Sequence, residues 1–230
     1  MRKIPLSYGM IYFLEELEHS EAALSADQDA KVLAGPFTHA LEEWDAEFKK
    51  ERLSRREVIR ANAVVAVRNE QLDVTTIQFA TAARALAVGL VEKCFKTTPG
   101  RFVRTRLRDQ AEKTQSVILV ELGKLDAAHP MQSFTGRLAA SAADAIKALD
   151  DRGKAKGAQA TVANDVDEWK EGVNSLRLTT YAELLKMADA KGYPRSWMES
   201  FFRREERSDA GAGEDPAPPA DPTPTPPVNG

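Results

Sequence analysis

The stretch FTHALEEWDAEFKKERLSRREVIRANAVVAVRNEQL (residues 37–72) decides what kind of molecule this is. Phe37, Leu41, Trp44 and Phe48 recur at steps of four, three and four, which places them on one face of a helix. Two features compete with a single helix. VVAV (residues 64–67) is β-branched enough for a short buried strand, but no turn residues bracket it, and it is read as helix. Ser54 and Glu57 make a capping box in SRRE. Either the box starts a second helix or one helix runs through residues 37–72. A continuous helix would be about 50 Å long, which suits an extended bundle better than a compact globule.

The same rhythm continues along the chain. TVANDVDEWKEGVNSL carries Val162, Val166, Trp169, Val173 and Leu176. After Asp73, read as an N-cap, Ile77, Ala80, Ala83, Ala87 and Leu90 line a further stripe. Leu107, Ala111, Thr114, Ile118 and Leu122 mark another, through VILV (residues 117–120), and Leu138, Ala142, Ala145 and Leu149 a fifth. RGKAKG (residues 152–157) is flexible and basic and is read as a turn between two helices. Gly192 ends one helix and Pro194 starts the next.

The fold class is therefore all-α: an elongated antiparallel helical bundle over residues 1–207. FTHAL at Phe37 and FTGRL at Phe134 each open a long helix. They raise the alternative of two tandem helical-hairpin units, residues 37–96 and 134–190. Residues 208–230 hold seven of the twelve prolines and almost nothing apolar, so they read as a disordered, proline-rich tail. The PADP within that tail lacks a flanking cation, which weakens it as a ligand for a proline-binding groove.

Composition narrows the function classes. The net charge of −3 excludes a globally basic nucleic-acid binder, so any such role needs a local patch. The single cysteine, Cys94, allows no internal disulfide and no cysteine-based zinc site. Arg2 and Lys3 precede apolar residues, but Pro5 and Ser7 interrupt the run and Glu15 and Glu16 end it, so the N-terminus reads as a helix and not as an export signal. No window approaches the roughly 20 apolar residues of a membrane span. A cytoplasmic protein without stable membrane insertion is expected.

Chemistry-bearing motifs are incomplete. Glu16 and His19 have the Glu-x-x-His spacing of a di-iron bundle, but Pro36 precedes His39 where the second glutamate belongs, and Asp126 with His129 abuts Pro130. No metal site and no cofactor are expected. Glu15, Glu16, Glu18, His19 and Glu21 read as the wet face of a first helix, with Met10, Phe13, Leu14 and Leu17 buried. There is no nucleophile elbow and no phosphate-binding glycine loop, so no catalytic residue is assigned.

Two binding features remain. Trp197, Met198, Phe201 and Phe202 share a face of the last helix and form either a core cap or an exposed partner-binding anchor. The basic stretches are residues 49–60, with Arg55 and Arg56, and residues 101–108, where Arg101, Arg104 and Arg108 would share a helical face and bind an anion. The leading expectation is a non-enzymatic scaffold or adaptor that binds a protein partner or itself. The alternatives are a polyanion-binding module, for nucleic acid or phosphate, and a ligand-binding or enzymatic bundle with a core pocket around His39, Tyr12 or Tyr181. Truncation after Arg207 is expected to leave the thermal midpoint of unfolding nearly unchanged, as read by circular dichroism, because the tail has nothing to bury.

Overall fold

A computed structural model describes residues 3–203. The proline-rich tail expected over residues 208–230 lies outside the described residues. The chain is helical, and long helices pack on each other without a strand among the described residues. Helix α1 spans Met10–Ala26 and α2 spans Gly35–Leu86. Short helices follow: α3 (Leu90–Cys94), α4 (Pro99–Phe102), α5 (Leu107–Lys113) and α6 (Leu119–Gly123). A long α7 (Thr135–Lys191) and a short α8 (Arg195–Glu199) complete the order.

Residues 37–72 are one uninterrupted helix, part of a 52-residue α2 that is about 78 Å long. The capping box is incidental: the Ser54 hydroxyl donates back to the Glu51 carbonyl at 2.9 Å, inside the helix. One position repeats every seven residues along α2, through Phe37, Trp44, Glu51, Val58, Val65, Leu72 and Phe79. This position faces α7 along its whole length. The 57-residue α7 runs antiparallel to α2, since Trp44 packs with Val166, Arg68 pairs with Asp144 at 3.2 Å, and Arg137 donates to Gln78 at 2.6 Å. The two segments proposed as tandem hairpins thus each contribute one long helix, and those helices pair with each other. FTHAL and FTGRL open them at opposite ends.

The RGKAKG turn does not exist. Residues 152–157 are helical and lie in the middle of α7. Neither of the glycines there takes the left-handed conformation of a glycine turn; among the described residues the positive-φ glycines are Gly89 and Gly192. A Cβ at Gly153 or Gly157 would meet nothing within 4 Å, so neither glycine serves a close approach. Each costs the helix about 1 kcal/mol relative to alanine, and the seam with α2 outweighs that cost. Gly192 does end α7, at φ 71°, and Pro194 caps α8.

Two apolar cores sit at opposite ends of this pair. One gathers Phe13, Leu17 and Leu24 of α1, Phe37 of α2, Leu184 of α7, and Met198, Phe201 and Phe202. The other gathers Phe79 and Ala83 of α2, Leu138 of α7, and Leu90, Phe95, Phe102, Ile118 and Leu122 from the segment between α2 and α7. Between them runs a shaft. Residues 45–64 of α2 and 149–165 of α7 contain no buried residue. Its seam is half-buried Glu51, Ser54, Val58 and Ala61 against Arg152, Ala155, Gln159 and Val162.

Polar residues clasp the N-terminal segment to α7. The Asn174 side chain both accepts from the Ile4 amide (2.8 Å) and donates to the Ile4 carbonyl (2.9 Å), and Lys170 donates to the Leu6 carbonyl at 2.8 Å. Glu16 is not on a wet face. It is 2% exposed and accepts from Arg177 at 2.8 Å, with Arg177 itself 6% exposed. Asp73 is not an N-cap either. It lies inside α2, where its carboxylate accepts from Gln110 of α5 at 2.8 Å and from Asn69 at 3.1 Å.

Burial raises the Glu16 carboxyl above its ordinary range, against the opposing pull of Arg177. Removing the arginine strands a buried carboxylate. Arg177→Met is expected to cost about 3–5 kcal/mol in urea unfolding at neutral pH, and the double variant Glu16→Leu with Arg177→Met to recover most of it. The folded state takes up the Glu16 proton at a higher pH than the unfolded chain does. Without Arg177 that carboxyl is raised further, so the deficit of Arg177→Met should shrink as pH falls through the variant's still higher value, and a pH-independent deficit would contradict the buried pair.

Candidate interaction surface

Trp197 and Met198 of α8 are turned inward together with Phe201 and Phe202, which follow the end of that helix and so share no helical face with them; this corrects the exposed-anchor reading. Met198, Phe201 and Phe202 are 2%, 3% and 7% exposed within the first core. Half-buried Trp197 donates its indole N–H to the Asp27 carboxylate at 3.0 Å. The reason lies in the loop joining α1 to α2. Asp27 accepts the amides of Asp29 (2.8 Å) and Ala30 (2.9 Å), and Asp29 accepts the Tyr193 hydroxyl at 2.8 Å and pairs with Lys191. These carboxylates fasten the end of α7 and α8 over the open side of α1.

The basic stretches lie on different elements. Residues 101–108 are not one helix, because α4 ends at Phe102 and α5 begins at Leu107. Arg101, Arg104 and Arg108 therefore do not share a helical face. Arg108 pairs with Asp150 of α7, whereas Arg101, Arg104 and Arg106 are exposed and make no ion pair among the described residues. In the shaft, Lys50, Arg55 and Arg60 are taken up by Glu47 (2.5 Å), Glu51 (2.5 Å) and Glu57 (2.7 Å) of their own helix. Lys49 and Arg56 make no ion pair among the described residues, and the Arg52 guanidinium lies 5.7 Å from the Phe48 ring.

Other candidate chemistry stays apart. Among the described residues no group of three or more His, Cys, Asp or Glu side chains is placed to hold a metal ion. Glu16 points at Arg177, and the His19 ring lies 3.3 Å from the Ser200 carbonyl. Cys94 is buried, and burial, assisted by Glu121, pushes its thiol up to about 11, so it is a poor nucleophile at neutral pH. A cleft of about 440 Å³ between α2 and α7 is lined by His39, Glu43, Glu47, Glu168 and Trp169. It includes His39 but neither Tyr12 nor Tyr181, which pack against the first core. None of the described helices is long and apolar enough to cross a membrane.

What the fold leaves uncovered is the back of α2. Leu53, Val64, Val67, Val74 and Ile77 are 46%, 49%, 56%, 43% and 39% exposed. They lie on the side of α2 away from α7, Leu53 and Val64 within the shaft and Val67, Val74 and Ile77 beyond its end. Scattered exposed aliphatics need no explanation, but a row along one face is a candidate interaction surface. In the sequence this row is masked, because arginines interrupt it at residues 56 and 60 and because the same helix carries a second, more apolar face.

No protein-family model, curated protein or solved structure matches the chain.

The Asp27 carboxyl is held below its ordinary range, chiefly by the Ala30 amide and then by the Trp197 indole and the Asp29 amide. A lowered folded value stabilises the native state above the ordinary aspartate pKa of about 3.9, and that contribution is lost as pH falls through the lowered value. The Trp197 indole N–H resonance is thus expected to leave its hydrogen-bonded position in acid. In Asp27→Ala it should sit at the acid position already at neutral pH. A resonance unmoved by either change would contradict this anchor.

Proposed function

We propose that this chain is a non-enzymatic helical scaffold or adaptor, cytoplasmic, that binds protein through the outer face of its shaft. The observation that carries this reading is the uncovered aliphatic row on the back of α2, which begins in the shaft at Leu53 and continues past its end to Ile77. A rigid pair of helices about 80 Å long, with a core at each end, presents that row as a straight and extended docking edge. Such an edge suits helix-on-helix recognition, in which aliphatic side chains at i, i+3 and i+4 spacing insert into a partner's groove. The flanking cations Lys49, Arg52 and Arg56 would meet an acidic rim and set orientation more than affinity.

A second reading keeps a specific observation of its own. Arg101, Arg104 and Arg106 crowd the connection between α4 and α5 without an ion pair among the described residues. They would suit a phosphate group or a nucleic-acid backbone, and binding of that kind weakens steeply with salt.

The test is affinity capture of the full-length protein from its native lysate at low and high salt, beside a variant carrying Val67→Glu and Val74→Glu. A stoichiometric protein that survives high salt and is lost from the variant is the expected result. Nucleic acid lost at high salt and unaffected by the variant would move the assignment to the arginine cluster. An empty capture, with no second copy of the chain retained, would overturn the scaffold reading.

A further inference from the structure

The outer row of α2 has a spacing that its own copy can read. Leu53, Arg56, Arg60, Ala63, Val67, Glu70, Val74 and Ile77 follow one another at steps of three, four, three, four, three, four and three. All eight are exposed. This is a second helical stripe, opposite the seam with α7, and its spacing is the same read in either direction. A copy turned about a two-fold axis at Val65 would lay the stripe antiparallel on itself. In that register Leu53 meets Ile77, Arg56 meets Val74, Arg60 meets Glu70 and Ala63 meets Val67, and each contact occurs twice.

The chemistry at each level agrees with the register. The ends of the stripe match aliphatic to aliphatic. At the centre a small residue, Ala63, faces Val67, which lets the helices approach closely. At the charged level a cation faces an anion. Glu70 makes no ion pair among the described residues, and the contact of Arg60 is an exposed one to Glu57 on its own helix at 2.7 Å, which costs little to give up. The Arg56 stem can lie over Val74 while its guanidinium stays in water. A parallel copy would instead stack Arg60 on Arg60 and Glu70 on Glu70.

We propose that the chain forms a two-fold homodimer in which the outer stripes of two α2 helices pair antiparallel across the shaft. In the dimer, residues 53–64 of each α2, where the monomer lacks buried residues, lie against residues 66–77 of the other copy's α2, and the two helix pairs form a four-helix layer. The stripe extends about 36 Å along the helix, so the contact lies at the small end of stable interfaces and the dimer is reversible. This inference deepens the scaffold reading by naming a second copy as the occupant of the surface.

The test is sedimentation equilibrium of the full-length chain over a wide concentration range at low salt. Wild type is expected to pass from monomer to twice that mass. Arg60→Glu and Glu70→Arg each place like charges opposite one another and are expected to weaken association about ten-fold or more. The double variant restores the pair in the antiparallel register and is expected to recover wild-type association. All these positions are exposed, so the helical circular-dichroism signal should be unchanged and loss of association cannot be loss of fold. A wild type that stays monomeric at the highest concentration overturns the dimer. So does a dimer indifferent to both reversals, or one that the double variant fails to rescue. A monomeric wild type that still captures a foreign protein through Val67 and Val74 would leave the scaffold reading standing without the dimer.

Discussion

The antiparallel seam between α2 and α7 is what every other element leans on. Its geometry follows from one helical position repeated at seven-residue intervals, from Phe37 to Phe79. That interval keeps a residue facing the neighbouring helix for the full length of the pair, so two helices of more than 50 residues stay in register without a turn. The short helices could not fold by themselves. Elements of four to seven residues such as α3, α4 and α5 are far below the length at which an isolated helix persists, and they hold their shape by packing on the ends of the long pair.

The distribution of burial along that pair sets the energetics. Each fully buried Phe or Leu contributes on the order of 1.5–3 kcal/mol, and such residues gather at the two ends, Phe13, Leu17 and Phe37 in one core and Phe79, Ile118 and Leu138 in the other. The shaft has a half-buried seam of Ser54, Val58, Ala61, Ala155, Gln159 and Val162, with two glycines in α7. It is held straight by the cores at its ends and by pairs such as Arg68 with Asp144 and Arg108 with Asp150. A segment this thin with an aliphatic row on its outer face is incomplete as a core and suited as a contact. The same absence of a third helix that weakens the monomer opens the surface to a partner.

The helical class, the long helix from Phe37 and the ends at Gly192 and Pro194 were legible in the sequence, because helical periodicity and caps are local properties. The errors fall where a distant residue decides. Glu16 reads as solvated because carboxylates are rarely buried unless paired, and the pairing arginine lies 161 residues away. Asp73 reads as a cap until Gln110 is brought against it by α5. RGKAKG reads as a turn because glycine is a poor helix former, and only the neighbouring α2 shows that the helix is templated through it. The break between Phe102 and Leu107 carries neither glycine nor proline, so the arginines there read as one face. Trp197, Met198, Phe201 and Phe202 could be a cap or an anchor on composition alone, and the Asp27 loop determines which. The outer stripe of α2 was present in the spacing, but it emerges only once the inner face of that helix is known.

Helix α7 runs unbroken through the shaft and is packed against α2 along residues 151–161. Native-state hydrogen exchange resolved to individual amides tests it most directly. Continuous pairing predicts that the Gly153 and Gly157 amides exchange well below coil rates, yet faster than amides such as Leu138 and Leu184 that are packed into the end cores. Exchange at coil rates through residues 152–157 would contradict the account and return that stretch to a turn between two helices of a hairpin over residues 134–190.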